Sequence, residues 1–307
     1  MEYRWSICLP DLEGPKVLQP VNIPKPYLDE RQASVRPAFH ERDAGSFSID
    51  IFARYFGRRI GLRVYGCGAV ALGMVGLAWG DFALVWQPVP SNVPDRTALA
   101  YAVAGVLLIA GLAVQWERTA RAGAIALTTL YALGVGLLHI PRVVAQPSDL
   151  STWAGVAEQL ALVAGGLVAF ATAARIDGRT FGRLTRFAHL MFAVCLFSFG
   201  LVHFYYIDAT ASYVPAWLPA GQVFWACATG IAHWAAAIAI ITGILASTGA
   251  RLLTAMFVVF GVLVHAPSIF IDPASHLNWT ANAMNLALIG AAWVIADSIE
   301  ARSPDGG

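Results

Sequence analysis

The chain has 307 residues, of which 58% are hydrophobic and 13% are charged, and its formal net charge at pH 7 is +1. Soluble globular proteins contain about 45–50% apolar and about 25% charged residues, so this composition excludes an ordinary soluble enzyme. It also excludes a disordered chain, and the nearly neutral charge argues against nucleic acid as a partner. The lipid bilayer is therefore the predicted partner of most of the surface.

The first part of the chain differs from the rest. Residues 1–46 contain six prolines and both lysines of the sequence, which predicts an irregular Pro-rich tail. Residues 47–59, FSIDIFARYFGRR, place apolar side chains on one helical face and three arginines away from it. This pattern predicts an amphipathic helix that lies at the membrane interface.

From residue 60 onward the chain contains eight apolar runs, each long enough to cross a hydrocarbon core of about 30 Å as a helix. Barrel strands would alternate apolar and polar residues, and these runs do not. The predicted fold class is all-α, a polytopic membrane protein with eight transmembrane helices. The predicted helices span 60–82, 97–115, 122–140, 153–173, 187–207, 221–245, 250–271 and 279–298.

The arginines predict the orientation of these helices. From Arg54 onward, twelve arginines lie on one side of the predicted helices, against only Arg96 and Arg142 on the other. The positive-inside rule then places both termini in the cytoplasm, with the protein in the inner or plasma membrane of the cell. The nine prolines from Pro88 to Pro273 are all expected in the outer connections, because proline ends helices.

The chain resembles itself. LLHIPRVVAQPSDLSTWAGVAEQLAL (137–162) aligns without a gap with LVHAPSIFIDPASHLNWTANAMNLAL (263–288), so that His139 falls on His265 and Trp153 on Trp279. Each half is therefore predicted to be a four-helix repeat, 60–174 and 187–298. An even number of helices per repeat gives both copies the same orientation, so the repeats are parallel.

Three segments point to a family. GLVHF (200–204), YVPAWLP (213–219) and ATGIAHWAAAIAIITG (228–243) resemble the DoxX family of four-helix membrane proteins, and GLAWGDFALVWQPVP (76–90) resembles a diverged second copy. The resemblance implies a tandem duplication of that unit and a link to membrane oxidoreductases that work with thiosulfate and quinone. The family usually has an acidic residue where this chain has His233, which is a departure from its pattern.

Polar groups recur at the outer ends of the odd-numbered predicted helices, where Asp81, His139, His203 and His265 stand. Ionisable groups are costly in a bilayer and usually face a bundle interior or a wet cavity. We therefore predict that these four groups converge on one outward-opening pocket and exchange protons there, since histidine titrates near neutral pH. The alternative for each residue singly is that it anchors or caps a helix end at the interface.

Five further residues are predicted to bind a ligand or cofactor: His233, Trp217, Asn282, Asn285 and Glu158. His233 is the most deeply placed ionisable residue. Asn282 and Asn285 share a face of helix 8 with Asn278, and hydrogen bonds between helices explain this stripe equally well. No metal site is predicted, because the four cysteines lie far apart. Close helix contacts are predicted at Gly105, Gly111, Gly165 and Gly166.

The function predicted from these features is an integral membrane component of a redox system that handles a quinone or another small lipophile. Haem is disfavoured because it requires a second axial ligand at the depth of His233. No residue carries electrons in an obvious way, so a soluble or membrane redox partner is implied, and whether the chain is itself an oxidoreductase or only a subunit stays open. Two alternatives also stay open: a small-solute transporter, and a non-catalytic scaffold subunit whose tail recruits a soluble partner.

Overall fold

The computed structural model describes residues 60–174 and 176–302. In these residues eight helices are long and apolar enough to cross a membrane and no strand occurs, which confirms the predicted all-α polytopic class. The predicted tail, 1–46, and the predicted interfacial helix, 47–59, lie outside the described residues. The helices are α1 Ile60–Trp79, α2 Arg96–Val114, α3 Glu117–Ala145, α4 Leu150–Ala174, α5 Gly178–Tyr205, α6 Gln222–Thr242, α7 Ala246–Ile271 and α8 His276–Glu300.

Each predicted run corresponds to one helix, but several helices begin earlier than predicted. Helix α5 begins at Gly178 rather than at residue 187, because the Asp177 side chain accepts hydrogen bonds from the Arg179 and Thr180 backbone N–H groups and caps the helix. Helix α3 begins at Glu117 rather than at residue 122, although no side chain caps its start. The apolar pattern marks only the part of each helix that is suited to lipid, whereas both helices extend into charged sequence.

The helices form two similar halves. In the first half α1 packs against α2, α2 against α3 and α3 against α4, and in the second half α5 to α8 follow the same order. The halves meet where α1 packs against α8, α4 against α5 and α4 against α8. Helices α4 and α8 have the largest buried share among the eight helices, so the core of the protein lies along this central pair.

Small residues bring the helices close at the boundary between the halves. A Cβ atom on Gly68 would collide with Ala287, and one on Gly290 would collide with the backbone of Tyr65. The close contacts predicted at three glycines are confirmed; these are Gly111, Gly165 and Gly166. The prediction for Gly105 is wrong, because open space surrounds the position that its Cβ would occupy.

The two ends of the bundle differ in chemistry. Gly61, in the first turn of α1, lies against Asp297 near the end of α8, so the described chain starts and finishes at the same end. We call this the arginine-rich end, and there Arg251 pairs with both Asp297 and Glu300. The other end, which carries the prolines, is the proline-rich end. There the indole N–H of a tryptophan closes each of three loops on the carbonyl of a proline six residues earlier: Trp153 on Pro147 (3.0 Å), Trp225 on Pro219 (2.7 Å) and Trp279 on Pro273 (2.9 Å).

Two prolines lie inside helices, which corrects the expectation that all of them occupy connections. Pro141 lies within α3 and Pro267 within α7. Each follows a π-helical turn, Val135–His139 in α3 and Gly261–His265 in α7. Proline lacks the N–H that the previous turn needs and crowds its carbonyl, and a wider turn relieves both problems without ending the helix.

Equivalent positions in the two halves thus have equivalent local geometry, from the π turn to the loop closed by a tryptophan. The duplication of an ancestral unit stays a prediction that rests on the sequence alignment.

Candidate functional site

A cavity of about 180 Å³ lies among α4, α5, α6, α7 and α8. Its polar wall consists of five residues that the sequence predicted as site residues: Glu158, His203, His233, His265 and Asn285. Most of the remaining wall is apolar, and Phe199, Phe257, Phe260 and Met284 belong to it. We call this space the histidine cavity. It combines hydrogen-bonding groups with an apolar lining, which is typical of sites for small organic molecules.

His233 lies at the back of the histidine cavity and is only 2% exposed. Its Nδ1 atom is 2.9 Å from the Thr229 carbonyl oxygen, which can only accept a hydrogen bond. Nδ1 therefore carries the hydrogen, and Nε2 of the neutral ring is left as an acceptor. The rings of Phe199, Phe257 and His203 surround His233, with centroid distances of 5.8, 5.7 and 5.4 Å.

His203 provides a buried nitrogen that no described residue satisfies. Its Nδ1 atom has no hydrogen-bond partner among residues 60–174 and 176–302. A buried polar atom without a partner costs free energy, so such an atom usually meets water or a ligand group. The orphaned nitrogen of His203 therefore gives the cavity a polar group suited to a ligand.

His265 is positioned by the π turn that it ends. Its backbone carbonyl accepts hydrogen bonds from Asn282 Nδ2 at 2.6 Å and from the Ser268 hydroxyl at 2.7 Å. Both donors hold the main chain of α7, so the imidazole ring itself stays available to the cavity. A π turn inside an α-helix is frequently found at functional sites, and this one sets the direction of His265.

The asparagine stripe of α8 serves mainly to hold α7. Asn278 donates to the Ser268 carbonyl (2.9 Å) and Asn285 donates to the Phe257 carbonyl (3.2 Å), as Asn282 does to His265. The alternative of hydrogen bonds between helices therefore describes all three residues. Asn285 also lines the histidine cavity.

Trp86 is a wall residue that the sequence analysis missed. It ends a short 3₁₀ turn, Leu84–Trp86, in the connection between α1 and α2, and it lies beside Glu158 in the histidine cavity. Its carbonyl oxygen accepts hydrogen bonds from Gln159 Nε2 (3.0 Å) and His139 Nε2 (3.1 Å). The one signal in the sequence is an aromatic residue close to Pro88, which does not reveal that the loop folds back onto α4.

Two of the predicted proton-exchanging groups lie outside the histidine cavity. His139 is 2% exposed and is engaged with the Trp86 carbonyl, and a Cβ on Gly155 would come within 2.8 Å of its ring. Asp81 forms an ion pair with Arg96. The expectation that four groups converge on one pocket is therefore wrong for His139 and Asp81, because each has found a partner within the first half.

Trp217 and Asn282 also lie elsewhere. Trp217 is 71% exposed in the loop between α5 and α6, so the expectation that it shapes the pocket is wrong. Asn282 lines a second cavity of about 660 Å³ between α1, α7 and α8, whose wall is mostly apolar. Asn285 lines both cavities. The apolar cavity therefore lies on the other side of this residue from the histidine cavity.

The arrangement of histidines bears on haem and metal. His203 lies beside His233, which corrects the expectation that His233 has no second axial ligand at its depth. The two rings are stacked, with planes 29° apart, and this differs from the end-on approach of two axial ligands to a haem iron. Within the described ranges, no group of three His, Cys, Asp or Glu residues is arranged to hold a metal ion.

At the proline-rich end a hydrogen bond joins the halves outside the membrane-spanning helices. The Tyr206 hydroxyl donates to Asp149 Oδ1 at 3.1 Å. The Ser151 backbone N–H donates to the same oxygen and lowers the pKa of Asp149 below its usual range. The pKa of Tyr206 is raised, first by desolvation and then by the Asp149 carboxylate.

In comparisons with known proteins, no family model, no curated protein and no solved structure matches this chain. The protein is an integral membrane protein by its eight apolar helices, and the histidine cavity is its candidate functional site.

Proposed function

We propose that the protein is a membrane component of a redox system that binds a quinone or a similar small lipophile in the histidine cavity and exchanges protons with it. The observation that carries the proposal is that His203, His233 and His265 line one largely apolar cavity together with Glu158. Reduction of a quinone to a quinol takes up two electrons and two protons. Imidazole and carboxyl groups within reach of the quinone oxygens are suited to deliver those protons.

The cavity wall fits the two parts of such a molecule. Phe199, Phe257 and Phe260 offer apolar faces to a ring, and the orphaned Nδ1 of His203 offers a polar partner to a ring oxygen. The larger apolar cavity beyond Asn285 has the volume and lining to receive an alkyl tail. The electrons come, in this proposal, from a soluble or membrane redox partner.

The resemblance to the DoxX family remains part of the proposal. The segments that carry it contribute His203, at the end of α5, and His233, in α6. Two of the three imidazoles of the cavity therefore come from the residues on which the resemblance rests. We also propose that the arginine-rich end, with both termini, faces the cytoplasm. A reporter fused to the C-terminus, active only on one side of the membrane, tests this orientation.

A binding titration tests the main proposal. The full chain in lipid nanodiscs is titrated with short-chain benzoquinones and naphthoquinones, and the quenching of tryptophan fluorescence is followed, since Trp86 lines the cavity. We expect the quenching to saturate. His203→Ala and His265→Ala should each weaken the affinity for quinones about tenfold, because each removes one hydrogen bond. His189→Ala is the control, because His189 lies at the arginine-rich end and lines neither of the two cavities assigned to the quinone, so its loss should leave quinone binding unchanged.

Three outcomes separate the alternatives. If quenching does not saturate, or if the His189→Ala variant loses as much affinity as the others, the proposal fails. Solute uptake into proteoliposomes would favour the transporter, because a redox component moves no net solute. If neither binding nor uptake occurs, loss of a co-purifying partner on deletion of residues 1–46 would favour the scaffold subunit.

A further inference from the structure

A separate cluster of charged side chains lies at the arginine-rich end, away from the histidine cavity. A cavity of about 480 Å³ opens there between the N-terminal part of α5, the ends of α6 and α8 and the start of α7. No aspartate or glutamate belongs to its described lining. Its polar and charged lining residues are Arg186, His189, Thr242, Ser247, Thr248 and Arg302. We call it the basic cavity.

Arg302 is held in place by neutral groups. Its guanidinium donates hydrogen bonds to the Gly182 carbonyl and to the Thr185 hydroxyl on α5. Neither partner is charged, so these bonds orient the side chain without neutralising it. Arg186 and Arg302 line the same cavity and carry like charges, and burial followed by the nearby charge of Arg186 lowers the pKa of Arg302.

Arg186 has no hydrogen bond or ion pair to another residue in the described ranges. Three acidic residues at this end of the described chain are engaged elsewhere. Asp297 and Glu300 pair with Arg251, and Asp177 caps the start of α5. An anion between Arg186 and Arg302 would remove their repulsion, and arginine is the side chain best matched in shape to a phosphate group.

The rim of the basic cavity is suited to lipid rather than to water. Four large apolar residues next to it are exposed at the protein surface: Phe187, Ile241, Ile244 and Leu245. The loop Gly243–Leu245 joins α6 to α7, so these side chains stand at the level of the helix ends. A molecule that contacts both the arginines and this rim carries a phosphate and an apolar tail.

We propose that the basic cavity binds the phosphate of an anionic phospholipid, with Arg186 and Arg302 as the binding residues. Basic pockets between transmembrane helices are established binding sites for anionic headgroups. The hydroxyl groups of Ser247 and Thr248, in the first turn of α7, add hydrogen-bond donors to the same space. The site is independent of the histidine cavity and does not depend on the redox proposal.

Lipid titration followed by native mass spectrometry tests this site. The full chain is titrated with phosphatidylglycerol, and phosphatidylcholine serves as the zwitterionic comparison. A juxtamembrane arginine near an anionic lipid contributes about 1 kcal/mol, so Arg186→Gln and Arg302→Gln should each weaken phosphatidylglycerol binding about fivefold. Arg121→Gln, at an exposed position of α3 at the same end, is the matched control and should leave the affinity unchanged.

Arg186→Gln is the decisive variant, because Arg186 makes no bond that supports the fold and its loss is not a folding effect. Unchanged phosphatidylglycerol affinity in that variant overturns the proposal. An equal loss with Arg121→Gln also overturns it, because it would show only general surface charge. If inorganic phosphate or glycerol phosphate displaces the lipid at equal concentration, the cavity is a site for a soluble anion and the lipid assignment is wrong.

Discussion

His139 and His265 occupy equivalent positions in the two halves, because each ends a π turn and lies two residues before a proline. Their surroundings nevertheless differ. In the first half the ring of His139 is buried and donates to the Trp86 carbonyl. In the second half the ring of His265 faces a cavity that it shares with His203 and His233. The same residue in the same local geometry is therefore structural in one half and a candidate for chemistry in the other.

Two neighbours account for the difference. The connection between α1 and α2 makes a 3₁₀ turn that brings Trp86 onto α4, whereas the connection between α5 and α6 contains a short helix, Ile207–Ser212. Gly155 lets His139 press against α4, and Ala281 stands at the equivalent place in α8. Equivalent helix positions therefore place the backbone of the two histidines alike, whereas the loops and small residues nearby decide what each ring contacts.

The strongest effects are expected from alanine substitutions of the two histidines, one of which should lower stability and the other quinone affinity. His139→Ala should lower the free energy of unfolding by about 2 kcal/mol, because it removes a buried ring and its hydrogen bond. Its effect on quinone binding should be small, because the Gln159 side chain still donates to the Trp86 carbonyl at the cavity wall. His265→Ala should cost less than about 1 kcal/mol of stability, since its ring has no hydrogen bond in the described structure, and should weaken binding about tenfold.

Unfolding in mixed micelles and the quinone titration measure both quantities on the same preparations. Equal effects of the two substitutions on both quantities would show that the two halves are not different in the way the structure indicates.

A smaller effect is expected from the glycine that admits His139. Gly155→Ala places a Cβ 2.8 Å from the imidazole Nδ1, so the ring must move and its bond to Trp86 weakens. We expect a loss of about 1 kcal/mol in the free energy of unfolding. The control is the double variant with His139→Ala, in which the added methyl group has room and the cost disappears. A cost that persists in the double variant would place its cause elsewhere in α4.

Asn285 and Gln159 provide a third comparison at equivalent positions. Asn285 donates to the Phe257 carbonyl and Gln159 donates to the Trp86 carbonyl. A side-chain hydrogen bond between membrane helices contributes about 0.6 kcal/mol, so Asn285→Ala and Gln159→Ala should destabilise the protein by similar amounts. Asn285→Ala should change the affinity for quinones more, because Asn285 lines the histidine cavity directly, whereas Gln159 acts only through Trp86, whose carbonyl His139 also contacts. An equal change in affinity for both variants would contradict this distinction.

The smallest effect concerns the residues that start α4 and α8. Asp149 accepts a hydrogen bond from Ser151 N in the first half, and Ser275 accepts one from Asn278 N in the second. Because the pKa of Asp149 is lowered in the folded protein, its carboxylate stabilises the fold above its usual pKa near 4. This contribution is lost as the pH falls through the lowered pKa.

Thermal unfolding at pH 5 and pH 3 measures this contribution. Asp149→Asn should remove part of the pH dependence, whereas Ser275→Ala should lower stability equally at both values. A pH dependence that Asp149→Asn leaves intact would exclude this carboxylate as its source.

The sequence identified most of the polar residues of the candidate site but not the complete set of residues that line it. His203, His233, His265, Asn285 and Glu158 stand out because polar groups inside apolar helices need a reason to be there. Trp86 could not be identified in this way, because an aromatic residue near the membrane interface is ordinary. The sequence also could not show that His139 and Asp81 lie outside the histidine cavity. Their partners, Trp86 and Arg96, lie in a loop and at the start of the next helix.

The fold class and the number of membrane-crossing helices followed from the residues alone, because the length and apolarity of a segment decide locally whether it crosses a bilayer. The relative depth of the polar groups did not follow, since His203 lies beside His233 although His233 was expected to be alone at its depth. Which polar groups share a cavity is set by the packing of the helices. It depends on which helices are neighbours and on the π turn that orients His265. It also depends on the connection between α1 and α2, whose Trp86 carbonyl binds His139.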